Sequence, residues 1–118
     1  AQNVSLRRAA GQKLKEKLNH MRRKLEVGRL LCWRAVWLMD YGKPNTLEAS
    51  MAKAYFPPAA LEVTREAMEV LGDAGVRNDY FVEKLFRDMK VFDIFEGTGQ
   101  VQRIVMARRL VNLPGSTG

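Results

Sequence analysis

Glu96 is the residue of this chain best placed to do chemistry. It stands alone between a bulky apolar pair, Ile94 and Phe95, and a Gly97-Thr98 turn. A carboxylate in a largely dry pocket acts as a base, because desolvation raises a glutamate pKa from its reference of about 4.3 toward neutral pH. Phe92, Ile94 and Phe95 are expected to supply that dryness. A helical pattern opens behind Thr98, and its positive end favours the ionised carboxylate, so the basicity of Glu96 would rest on a balance of the two effects. Plainer roles are open to the same residues. Glu96 can satisfy free amides at a helix start, Phe95 can be core packing, and Thr98 can cap the last helix as well as bond a ligand. Gly97 permits close backbone approach.

The elements that must position this turn are helical. Leu14, Leu18, Met21, Leu25, Gly28, Cys32, Ala35 and Met39 recur at spacings of three and four, which predicts one stripe on a helix from about Leu6 to Met39. Leu30, Leu31, Trp33, Val36, Trp37 and Leu38 surround its second half, which is therefore expected to be buried on most sides. Residues 41 to 45 stop it, with Gly42 suited to a left-handed helix end and Pro44 unable to continue the ladder. Thr46 is the expected cap of a second helix reaching Leu71, with a kink or break near Phe56 because Pro57 and Pro58 lie inside it. A third helix is expected from Asn78 or Asp79 to Lys90 and a fourth from Thr98 to Val111, with residues 113–118 a frayed tail. There is no sustained two-residue alternation, so the fold class is all-α, an antiparallel helical bundle, and 118 residues suffice for one domain, 1–118.

Composition narrows the function classes. Twenty Lys and Arg against thirteen Asp and Glu give a charge of +7, and the whole excess falls within residues 1 to 24. Such a stripe could hold phosphates or another acidic partner. That alternative, a basic helical binding module without catalysis, needs aromatic or amide groups among the basic ones, and residues 1 to 24 contain no aromatic. No nucleic-acid role is assigned. Cys32 is the single cysteine, which excludes a disulfide framework and suits a cytoplasmic protein; it is expected to be a small buried hydrophobe. The lone His20 is expected to be solvated, and no Cys, His or carboxylate spacing signals a metal site. No apolar run approaches the roughly 20 residues that span a bilayer. Without an initiating Met, the chain reads as a processed or excised piece.

From residue 11 to 111 the ordered residues resemble the C-terminal helical domain of the acyl-CoA dehydrogenases. The resemblance is carried by Gln12, Leu18 and Met21, by Ala49 to Lys53, by Leu71-Gly72 through Gly75, by Val82-Glu83 and Arg87-Asp88, and by Phe95-Glu96-Gly97-Thr98. It implies that Glu96 removes the α-proton of an acyl thioester in a flavoenzyme using FAD, with Phe95 and Gly97 beside the substrate and Thr98 and Gln100 on the flavin. It further implies flavin contacts at Gln12, Glu69, Gly72 and Asp73, partly to a neighbouring subunit. Electron-transfer flavoprotein as acceptor and a homodimer or homotetramer follow from the same resemblance. Two departures weaken the flavin contacts. Glu69 replaces the family's Gln and Asp73 its second Gly, and the family's Arg-x-x-Phe-Gly falls on Ala1, Val4 and Ser5. The family also has a long helix before the first one here and two further domains. The isolated chain is therefore expected to be inactive and to bind FAD weakly or not at all.

Overall fold

The structure, a computed structural model, describes residues 2–95 and 97–111. Four helices account for it: α1 (Gln2–Asp40), α2 (Thr46–Leu71), α3 (Val82–Ile94) and α4 (Gly99–Leu110), with a 3-10 turn at Gly72–Val76. No strand occurs among the described residues. None of the helices is long and apolar enough to cross a membrane.

α2 is the hub, packing against α1, α3 and α4. The α1–α2 pair is antiparallel. Its cross-helix partners descend on α2 as they rise on α1, from Lys17 with Glu69, through Lys24 with Glu62, to Arg34 with Glu48. Small residues make this closeness possible. The buried apolar set is Ala35, Leu38, Ala52, Ala54, Ala59, Ala60 and Val63, and at the centre of the seam the Phe56 ring fills the place a side chain at Gly28 would take. The hinge between the helices behaves as the sequence predicts. Gly42 has φ +63°, and the N–H groups of Gly42 and Lys43 bond the carbonyls of Met39 (3.0 Å) and Leu38 (2.9 Å), a Schellman closure.

Several expectations are corrected. Of the kink or break expected near Phe56, the break does not occur, since α2 runs on through Pro57 and Pro58; the missing N–H groups leave the Lys53 and Ala54 carbonyls without their usual helical donors, while burial of Ala54, Pro57, Ala59 and Ala60 holds the helix together. Thr46 is the first helical residue rather than the cap, which is Asn45, and the Asn45 amide is turned back to the Ala35 carbonyl at 3.1 Å. α3 begins later than expected because residues 77–81 form a turn, with Arg77 paired to Asp79 at 2.5 Å. It also ends later, at Ile94, so residues 91–94 are its last turn.

The second half of α1 is not buried on most sides. Leu30, Trp33, Val36 and Trp37 are exposed, and Leu38 takes the seam position expected for Met39. The cause is that, among the described residues, α1 packs closely only against α2, so one stripe is covered. Cys32 is correspondingly half-buried. The radius of gyration, 18.7 Å, exceeds the roughly 13.5 Å of a compact domain this long. The accessible surface of 8847 Å² likewise exceeds the roughly 6,500 Å² of a compact monomer of this mass. The excess is comparable to the surface buried in a large protein interface.

Candidate functional site

The α3–α4 corner carries the expected chemistry. Phe95 leaves α3 in extended conformation, its N–H closing on the Val91 carbonyl at 3.1 Å. Gly97 has φ +102°, where L side chains rarely fit, and a Cβ there would lie 2.7 Å from Nε2 of Gln102. Thr98 caps α4, its Oγ1 accepting from the Val101 N–H at 3.3 Å; its own O–H is left to donate elsewhere. Glu96 itself lies outside the described residues, between Phe95 and Gly97, as do Ala1 and the expected tail at 113–118.

Lys53 of α2 belongs to this corner, although sequence reasoning gave it no site role. Its Nζ donates to the carbonyls of Phe92 and Phe95, the latter at 2.8 Å, and lies 4.8 Å from the centroid of the Phe95 ring. Carbonyls in the last turn of a helix have no intrahelical donor, and a cation there meets the negative end of the helix dipole. Lys53 therefore pins the exit of α3 to α2 and fixes the backbone that enters residue 96. The signal was present in the Ala49 to Lys53 run, but pairing with a carbonyl some forty residues away has no local pattern.

The dry pocket expected around Glu96 is not built by its apolar neighbours here. Phe92 and Phe95 are each 47% exposed and Ile94 58%, because among the described residues α3 packs chiefly against α2 and the 3-10 turn. Phe92 and Phe95 meet edge to face, centroids 6.2 Å apart. On the inner side of the corner lies an apolar cavity of about 360 Å³, lined in part by Cys32, Ala52, Phe56, Met89 and Phe92.

The residues expected to touch flavin fall into two groups. Thr98 and Gln100 follow the corner, close behind the Phe95 carbonyl held by Lys53. Glu69, Gly72 and Asp73 lie at the far end of α2. Sixteen residues of helix separate Lys53 from Glu69, roughly 24 Å. Gln12 is on the exposed part of α1 beyond Lys17, the partner of Glu69, with its amide bonded to Glu16 at 2.9 Å. Lys17, 2.7 Å from Glu69, donates a hydrogen bond that holds the Glu69 carboxyl below its usual range and offsets its charge. Gly72 has φ +59° and open space where a Cβ would stand, so its backbone can be approached closely.

Elsewhere, Glu83 with Arg87 and Lys84 with Asp88 form surface pairs, both at 2.5 Å. His20 is exposed, as expected, and also has neighbours. It faces Glu62 and Glu66 across the α1–α2 seam, one ligand atom from each of the three lying within 4.8 Å of the others. Sequence spacing could not signal this group, since it is drawn from two helices.

Comparison with known proteins adds a second line of observation. Residues 3–111 match the family profile described as acyl-CoA dehydrogenase, C-terminal domain. The chain is 49% identical over 86 residues to the cyclohexane-1-carbonyl-CoA dehydrogenase of Syntrophus aciditrophicus (strain SB), covering 73% of this chain and 22% of that protein. It is 42% identical over 100 residues to the mitochondrial short-chain specific acyl-CoA dehydrogenase of Bos taurus, covering 85% and 24%. The structure of butyryl-CoA dehydrogenase from Megasphaera elsdenii superposes with a TM-score of 0.82 at 35% identity, covering 85% of this chain and 26% of that one. The chain thus spans about a quarter of the length of these relatives.

Proposed function

The chain belongs to the acyl-CoA dehydrogenase family, matching its C-terminal helical domain, and on that premise we propose that it supplies the base to an enzyme that converts an acyl-CoA to the trans-2-enoyl-CoA. The observation that carries this reading is the Phe95-Glu96-Gly97-Thr98 turn, whose described flanks are a lysine-pinned helix exit, a glycine at φ +102° and a capping threonine.

In this reading the Glu96 carboxylate accepts the α-proton of the thioester. Gly97 leaves room for the thioester at the backbone, and Phe95 flanks the acyl group. FAD, when bound, supplies the acceptor for the β-hydride. The donor set suits such a group when shared between chains: Thr98 and Gln100 at one end serve the flavin of their own subunit, while Gln12, Glu69, Gly72 and Asp73 at the other serve a neighbour's. A separation of roughly 24 Å along α2 supports this division and favours a homodimer or homotetramer. Lys17 offsets the charge that Glu69 would present to a pyrophosphate. Electron-transfer flavoprotein is the proposed acceptor and the cytoplasm the proposed compartment, the latter on the single Cys32. Because the apolar residues expected to supply a dry surround, Phe92, Ile94 and Phe95, are themselves exposed, the chain alone is proposed to be inactive.

Stopped-flow reduction of the flavin in the full-length protein carrying this segment tests the assignment. Glu96→Gln keeps shape and hydrogen bonding but cannot take the proton. The expected result is retained acyl-CoA binding with flavin reduction slowed at least about 10²-fold to 10⁴-fold, the scale of general base catalysis. Reduction at the parental rate would make Glu96 a capping residue.

A further inference from the structure

We propose that His20 of α1 with Glu62 and Glu66 of α2 forms a three-ligand site for a divalent transition-metal ion, zinc fitting best, that ties α1 to α2. Glu62 and Glu66 are four residues apart and so share a face of α2, and that face meets His20 across the seam. One ligand atom from each lies within 4.8 Å of the others, and His20 Nε2 is 3.9 Å from Glu62 Oε1. Donors around a tetrahedral zinc, each about 2.0 to 2.2 Å from the ion, stand roughly 3.4 Å apart. Small side-chain rotations close that difference.

A second, independent observation points to a ligand. Oε2 of Glu66 is buried and has no hydrogen-bond partner among the described residues. A carboxylate oxygen withdrawn from water without a partner is costly, and a cation in the same space relieves that cost. Glu62 divides its oxygens: Oε2 accepts from Lys24 Nζ, while Oε1 faces His20.

The donor set selects the ion. An imidazole nitrogen disfavours magnesium and calcium, which take oxygen ligands, and suits zinc and its neighbours. Two carboxylates match the charge of a divalent ion, and three protein ligands leave one position for water or an incoming donor. Lys24 and Arg65 oppose the ion electrostatically, so removing a cation should strengthen binding just as removing a ligand weakens it.

The test uses the untagged chain, stripped with a chelator, and zinc chloride and cobalt chloride as probes. His20 is the only histidine, which makes imidazole ligation unambiguous. Calorimetry should give one zinc per chain and cobalt should give the absorption bands of a tetrahedral site. Zinc should also raise the thermal midpoint, since it binds the folded state. His20→Ala and Glu66→Gln should each weaken zinc by about tenfold or more, the least expected from disturbing a metal site, and Lys24→Gln should tighten it. The absence of saturable binding, or binding that His20→Ala leaves unchanged, overturns the proposal. Should a ligand variant fail to fold, the parental cobalt spectrum and the Lys24→Gln gain decide, and the absence of both overturns it as well.

Discussion

The α1–α2 seam and the α3–α4 corner are built from similar residues and end in opposite states. At the seam, Gly28 accepts the Phe56 ring, alanines line the contact, and ion pairs from Lys17, Lys24 and Arg34 cross between the helices. At the corner, α3 has no buried residue, α4 has only Gly99, and Phe92, Ile94 and Phe95 are largely exposed. What holds the corner is largely polar: Lys53 on two carbonyls and Arg109 on the Thr46 hydroxyl at 3.3 Å. The seam is a scaffold complete in itself. The corner presents apolar side chains and a glycine turn on a surface that another group must cover, which is where chemistry built on a rigid scaffold tends to sit.

Three predictions sharpen or break this contrast. The largest effect is expected from Lys53→Met in the full-length protein. Loss of the pin lets the backbone before residue 96 drift, and a misplacement of about 1 Å can cost on the order of 10²-fold in rate. Flavin reduction should slow on that scale while thermal stability changes little, and Lys53→Arg should restore part of the rate. An unchanged rate would mean that the corner is positioned by other contacts.

Gly28→Ala acts on the other side of the comparison. Its methyl lands on the Phe56 ring, and overpacking of this kind costs about 1 to 3 kcal/mol. Chemical denaturation of the isolated chain should show that loss, and Phe56→Leu should relieve it in the double variant. A neutral Gly28→Ala would show the seam to be looser than its geometry.

The smallest effect is a pH dependence. Hydrogen bonds from Lys24 and Lys17 hold the carboxyls of Glu62 and Glu69 below their ordinary value of 4.5. Groups with a depressed folded pKa contribute stability that is present above the unfolded value and is lost as the pH falls through the folded one. The seam should therefore weaken below about pH 4.5, and Lys17→Met with Lys24→Met should flatten that limb of the melting curve. Lys53→Met should not, because its carbonyl partners do not titrate. Equal slopes in all three proteins would remove the ion pairs from the account of the seam.

Much of the scaffold was legible beforehand. Spacings of three and four marked the helices, Gly42 and Pro44 marked the hinge, and Gly97-Thr98 marked the start of α4, because each rests on backbone preferences that act within a few residues. The same local reasoning allowed a break at Pro57 and Pro58 that does not occur, because burial of Ala54, Pro57, Ala59 and Ala60 outweighs the two lost donors. It also overestimated how far Trp33 and Trp37 are covered, since apolar character states a need for burial and not whether a neighbour exists to meet it.

The sequence by itself therefore determined an all-helical chain, the order of its elements and the residue types at the proposed base and its turn. Only the tertiary structure decided that Lys53 grips the end of α3, that the expected flavin residues separate to two ends of α2, that the corner stands uncovered, and that His20 meets Glu62 and Glu66. The physical reason is reach. Helix propensity, capping and glycine dihedrals act between residues a turn or two apart, whereas these four features depend on which helix faces become neighbours, and packing settles that only when the whole chain has folded.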